Sequence, residues 1–320
     1  MPRSSRLASS AVADGAIRIS EPVARALRDE APVVALESTI ITHGLPRPDN
    51  IRAALEFEST VTERGATPAT IAMLDGVLHI GLEADDLQRL AGTENPRKLS
   101  ARDLPVAAAQ DATGGTTVAA TALMASGAGI RIFATGGIGG VHRNAGVTFD
   151  ESADLGILAS CPIAVVCAGV KSILDVGATL ERLETLGVTV LVFGTTRFPA
   201  FWMTDSGYTV DGCVTTAEEI AGVIQAADAL ELSSGILVAN PLPESAQLDP
   251  ATHDRLLAEA LKAAAAASVH GKDITPFLLD YIHRHTGGAS VAINLEIVRS
   301  NCRLGADIAR SLSAARQQNR

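Results

Sequence analysis

Short apolar runs alternate with amphipathic stretches along most of this chain. Residues 32–41 (PVVALESTII), 67–74, 77–82, 130–135, 161–170, 188–193 and 235–239 are nearly continuous in Val, Ile, Leu and Ala, and Gly or polar clusters bound them. That pattern predicts strands buried on both faces, as in a parallel sheet. Between them, helical periodicity predicts helices over 51–64, 83–90, 175–186 and 216–230, with Gly65 as a C-terminal stop. Two Ala-rich helices are expected, a short one after Asp103 and a second that opens at the segment from Asp111 to Thr117 and runs through Ser126. Asp75-Gly76 predicts a tight hairpin between two of the strands. From residue 251 onward the pattern is helical, over 251–268, 273–285 and 293–314. The expected class is α/β: a single domain of α/β/α layers around a mostly parallel, mixed sheet, with a helical C-terminal region.

Composition narrows this picture. The 320 residues are 47% hydrophobic but only 3% aromatic, so the core must be built from small aliphatic side chains. The net charge of −10, with no basic stripe or aromatic platform, argues against a nucleic acid polymer as partner. A single nucleotide needs only a local phosphate cradle and stays open. Cys161, Cys167, Cys213 and Cys302 have neither CxxC nor zinc spacing, which predicts reduced, structural thiols and a cytoplasmic location. No apolar run reaches the roughly 18 residues of a membrane span. Residues 1–15 lack a signal peptide's apolar segment and read as a disordered tail before a domain spanning 16–314.

The chemistry concentrates in residues 134–171. An apolar run stops at Gly136-Gly137-Ile138-Gly139-Gly140, followed by His142 and Arg143. An acidic patch (Asp150, Glu151, Asp154) surrounds Ser152, and a second apolar run ends on Lys171. Ligands of open α/β sheets collect beyond the carboxyl ends of the strands, where both runs end. Lys171 is either a snorkelling lysine or an amine able to attack a sugar carbon. Glu37, inside VVALESTII, is a second anomaly: a buried carboxylate needs a partner or a task. Asp150 and Asp154 suit ordinary helix capping and dipole compensation, although a hard divalent ion that keeps several waters needs only one or two such carboxylates. His142 is a loop hydrogen-bonding residue or a ligand. Residues 194–213, holding the only Trp, read as a loop covering something.

Taken together, VVALESTIITHGLPRPDN, NPRKLSARDLP, GGTTVAAT, FATGGIGGVHR, ESADL, CAGVKSILD and NPLPE resemble the pseudouridine-5′-phosphate glycosidases, a family that also holds indigoidine synthase A-like proteins. The matches run in order from about Ile17 to Leu312. The resemblance implies reversible cleavage of the C–C glycosidic bond of pseudouridine 5′-phosphate by water, giving uracil and ribose 5-phosphate, as in pseudouridine catabolism. It also implies a homotrimer and one Mn2+ (or Mg2+) per subunit. By motif, Glu37 is the expected proton donor, Lys171 the nucleophile and Asp150 the metal carboxylate. Lys98, Val118, Ser152, Ala153 and Asp154 are expected substrate contacts, with His142 and Asn294 as further active-site positions. Thr196, Arg197 and Trp202 depart from the family pattern, which bears on the covering loop. Two alternatives share these residues: another Schiff-base enzyme on a sugar phosphate, such as an aldolase, and a non-catalytic nucleotide-binding scaffold.

Overall fold

The computed structural model describes residues 15–269 and 274–318. The expected tail therefore lies, but for Gly15, outside the described residues, as does Asp273. Among the described residues eleven strands form one sheet. Its spine is β1 (Ile17–Ile19), β4 (Val77–Ile80), β3 (Thr67–Leu74), β2 (Val33–Leu36), β7 (Ile132–Ala134), β8 (Ala164–Cys167), β11 (Ile236–Ala239), β9 (Thr189–Phe193) and β10 (Cys213–Val214), in that spatial order. Every neighbouring pair is parallel except β3–β4, joined by the expected hairpin. Asp75 and Gly76 both take positive φ (47° and 77°), the backbone a two-residue turn between twisted strands requires.

β2, β7, β8 and β11 are buried at every position, because helices cover both faces of the sheet. One face carries the 30-residue helix α12 (Ala289–Gln318), with α2 (Asp49–Glu63) and α9 (Ala217–Ala229) beside it. α12 crosses closely at Gly305, where a Cβ would sit 3.3 Å from that of Ala134. The other face is covered in part by α1 (Glu21–Arg28) and α5 (Val118–Ala128). α10 (Pro250–Ala266) and α11 (Ile274–His285) pack on each other and complete the helical C-terminal region. Cys161, Cys167 and Cys302 are buried and Cys213 is exposed; burial pushes the Cys167 and Cys302 thiols up to about 12.

Three expectations are modified. The strand expected over 32–41 stops at Leu36, because the Ser38 carbonyl accepts N–H bonds from Ile41 and Thr42 (both 3.1 Å) and turns the chain into a π-helical turn at Ile40–Gly44. Gly114–Thr116, expected as a helix start, is instead strand β6, antiparallel to β3 and parallel to β5 (Arg97–Leu99), which lies between the helices expected over 83–90 and after Asp103. Glycine is needed there, since a Cβ at Gly114 would lie 2.3 Å from the Arg97 carbonyl oxygen. The strand expected over 161–170 ends at Cys167, and Gly169 (φ 80°) bends the chain away.

Candidate active site

The carboxyl ends of β2, β7 and β8 lie side by side; Glu37 directly follows β2, Thr135 directly follows β7, and Lys171 comes four residues after β8. Glu37, one residue past β2, is half-buried. Its Oε1 accepts a hydrogen bond from Thr135 Oγ1 at 2.5 Å, and its Oε2 accepts one from the Thr39 hydroxyl. Thr135 follows β7 and is buried, so the carboxylate is held between adjacent strands by two hydroxyls, one on each oxygen. Next to Glu37, Ser38 Oγ donates to the Ile71 carbonyl (2.6 Å) and accepts from Thr116 N (2.9 Å), which ties β2 to β3 and β6.

Lys171 stands four residues past β8 and is half-buried. Its amide donates to the Ile138 carbonyl (3.1 Å) and its carbonyl accepts from Leu174 N (2.9 Å), so the main chain is fixed. Its side chain has no hydrogen bond or ion pair among the described residues. Glu37 and Lys171 thus share one edge of the sheet without bonding to each other.

The glycine-rich loop after β7 owes its composition to crowding. A Cβ at Gly137 would meet the Phe201 ring at 2.7 Å, one at Gly139 would meet Ser152 Oγ at 2.2 Å, and one at Gly140 would meet Thr179 Oγ1 at 2.4 Å. Asp154 pins this loop from within the protein. It is buried, accepting from Gly139 N at Oδ2 (2.8 Å) and from Ala119 N at Oδ1 (2.9 Å). Val118, the first residue of α5, is buried. Ser152 caps α7 (Ala153–Leu158) through Asp154 N (3.2 Å), and Ala153 is exposed.

His142 and Asp150 face each other across one loop, Nδ1 to Oδ2 at 3.8 Å, while the His142 amide donates to the Asp150 carbonyl (3.0 Å). Among the described residues no three His, Cys, Asp or Glu side chains converge on a point that could hold a metal. One partly exposed carboxylate fits only a hard ion that takes most of its ligands from water, and Mn2+ or Mg2+ meets that description.

Lys98 lies on β5 opposite Gly115, near His43. Desolvation, and next the Lys98 positive charge, push the His43 imidazole below its usual value, against a backbone hydrogen bond at Pro96. Asn294, on α12, accepts at Oδ1 from Trp202 Nε1. Residues 194–213 do cover something. Phe201 lies on Gly136 and Gly137, its amide donates to the Ala168 carbonyl (2.8 Å), and Trp202 is buried. Arg197 pairs at the surface with Asp205 and Glu244. Of the three departures, then, only Trp202 touches a candidate site residue.

Sequence reasoning missed Thr39 and Thr135, which hold Glu37, and the amides of Asn240 and Asn301. Asn301 is fully buried, donates to the Thr135 carbonyl (2.7 Å) and accepts from Asn240 Nδ2 (3.0 Å). A signal was present: Asn294 and Asn301 are seven residues apart, two turns on one helix face.

Residues 22–311 match the family described as indigoidine synthase A like protein. A pseudouridine-5′-phosphate glycosidase of Salinispora tropica is 58% identical over 94% of this chain and 93% of its own. One from Frankia alni is 56% identical over 93% of this chain and 82% of its own. Among solved structures, the prealnumycin C-glycosynthase AlnA, in complex with ribulose 5-phosphate, superposes with a TM-score of 0.87 at 34% identity, covering 94% of this chain and 98% of its own. An indigoidine synthase A-like protein from Thermotoga maritima gives 0.84 at 32% identity, covering 93% and 96%.

Proposed function

The chain belongs to the indigoidine synthase A-like family of C-glycosidases, and on that premise we propose that it cleaves pseudouridine 5′-phosphate to uracil and ribose 5-phosphate through an imine on Lys171. One observation carries the reading: an uncommitted lysine amine and a doubly held glutamate share the carboxyl edge of three adjacent parallel strands. A C–C glycosidic bond has no leaving oxygen to protonate, so a pair of carboxylates as in ordinary glycosidases is not enough. A neutral Lys171 amine attacks C1′ and the C1′–O4′ bond breaks, which opens the ribose. Uracil C5 then takes a proton, the C1′–C5 bond breaks, and the nitrogen lone pair forms the C=N bond as uracil leaves. Water adds to the imine and releases ribose 5-phosphate and the free amine. Glu37 moves the protons that ring opening and uracil C5 require.

The remaining residues bind. Lys98 and donors around Ser152 and Ala153 take the phosphate, the main chain of Val118 faces the sugar, and His142 and Asn294 supply polar contacts to the ligand. Asp154 holds the loop these groups share. Asp150 would hold Mn2+ or Mg2+, one per subunit, with water completing its shell. When bound, the ion supplies positive charge that orients the anionic substrate. The protein acts as a homotrimer in pseudouridine breakdown, in the cytoplasm. The likeness to a C-glycosynthase supports a reaction that also runs toward C–C bond formation.

The test is trapping. Ribose 5-phosphate with cyanoborohydride should leave a reduced sugar adduct that peptide mass spectrometry maps to Lys171. Lys171→Ala should lose the adduct and C–C cleavage while still binding substrate. An active Lys171→Ala enzyme, or adducts on surface lysines only, would sink the mechanism, and ribose 5-phosphate consumption that ignores uracil would favour an aldolase-like reaction.

A further inference from the structure

One buried titratable side chain near the site takes no part in the chemistry above. His253, in the first turn of α10, is 5% exposed. Its Nε2 lies 2.8 Å from the hydroxyl of Ser172, itself 4% exposed and the residue directly after Lys171. On the other side of the ring, Nδ1 is 3.0 Å from Asp254 Oδ1. A carboxylate accepts only, so it takes the Nδ1 proton. In the tautomer with the proton on Nδ1, Nε2 is bare and the Ser172 hydroxyl donates to it.

That bond holds a short turn at a third point. Lys171 N donates to the Ile138 carbonyl (3.1 Å), and Arg143 donates to the carbonyls of Ser172 and Ile173 (both 3.1 Å). These anchors come from the glycine-rich loop, whereas His253 comes from the C-terminal helices. Trp202 sets the ring's angle, packing edge-on at a centroid distance of 6.4 Å and an interplanar angle of 69°. The indole N–H of the same Trp202 donates to Asn294 Oδ1, so the Asn294 amide turns its Nδ2 away from the indole. One chain of contacts, Ser172–His253–Trp202–Asn294, buried as far as half-buried Asn294, therefore links the turn carrying the amine to an amide on α12.

We propose that His253 is a positioning residue for Lys171: through Ser172 it fixes the turn from which the amine emerges, and Trp202 ties that turn to Asn294. The proposal rests on Lys171 being the nucleophile. Reacting groups must be held in a narrow geometry, and loosening one anchor lowers the fraction of attack-competent amine without removing any ligand contact.

Adduct formation at Lys171 with ribose 5-phosphate and cyanoborohydride, in the full chain, tests it. His253→Phe keeps a ring against Trp202 but has no acceptor for Ser172. His253→Gln loses the ring but its terminal amide reaches close to the Nε2 position. The expected result for His253→Phe is adduct formation about tenfold slower, the size of one lost buried hydrogen bond. The half-saturating ribose 5-phosphate concentration should change less than about twofold. His253→Gln should recover to within about threefold of wild type. Ser172→Ala should match His253→Phe, and the double variant should be no slower than either, since both remove one bond. A role in packing alone predicts the opposite order, with Gln worse than Phe, and that order overturns the proposal. So does a wild-type rate in His253→Phe or in Ser172→Ala. Absence of any Lys171 adduct in the wild-type protein would instead overturn the nucleophile reading itself, so the two failures are distinct.

Discussion

Asp154 offers a quantitative test of what the acidic patch is for. Its buried carboxylate accepts from Ala119 N at 2.9 Å and Gly139 N at 2.8 Å, joining the start of α5 to the glycine-rich loop. Hydrogen bonds to an ionised group contribute about 1.5–3 kcal/mol each, and an orphaned buried donor keeps its desolvation cost. Asp154→Ala removes both bonds; Ala119 is fully buried, whereas half-buried Gly139 can recover water, so the loss should be about 3–4 kcal/mol. Asp154→Asn keeps one acceptor but turns its NH2 toward the other N–H, and should lose about half as much. At roughly 2 °C per kcal/mol for a chain of this size, thermal unfolding should drop about 6–8 °C for Ala and 3–4 °C for Asn. Because the loop loosens along with the fold, the KM for ribose 5-phosphate should rise in the same order. Differential scanning calorimetry beside steady-state kinetics reads both. If either variant kept the wild-type melting temperature while losing activity, the carboxylate would be a direct ligand contact and this reasoning would be wrong.

Lys98→Ala should weaken use of ribose 5-phosphate by about tenfold or more, the scale of one charge-assisted bond, and leave residual use of ribose nearly unchanged; equal losses would show that Lys98 does not read the phosphate. Chelation should abolish activity and added Mn2+ restore it, with Asp150→Asn raising the Mn2+ concentration required; full activity in a verified metal-free sample would end the metal reading. Light scattering during gel filtration should return three times the chain mass, and a monomer mass at micromolar concentration would contradict the homotrimer.

The apolar runs determined most of the fold. Seven of the strands were legible because a strand covered on both faces must be apolar along its length, and β2, β7, β8 and β11 are. The hairpin was legible because only a few dipeptides take two positive φ values in succession. Glu37 and Lys171 stood out for the same reason, each a charge attached to an apolar run. Only the tertiary structure decided what holds them. The Thr135 hydroxyl on Glu37 spans 98 positions and His253 on Ser172 spans 81. A lone threonine or histidine carries no mark in sequence of the partner that folding brings to it. β5 and β6 escaped for a related reason: strands of three residues, one of them Gly-Gly-Thr, have no periodicity to read, and their pairing comes from β3 and from a backbone approach that only glycine permits. Asp154 was legible as an acid near a helix start, but the donors that occupy it come from Ala119 and Gly139, which meet only when α5 and the glycine-rich loop pack together.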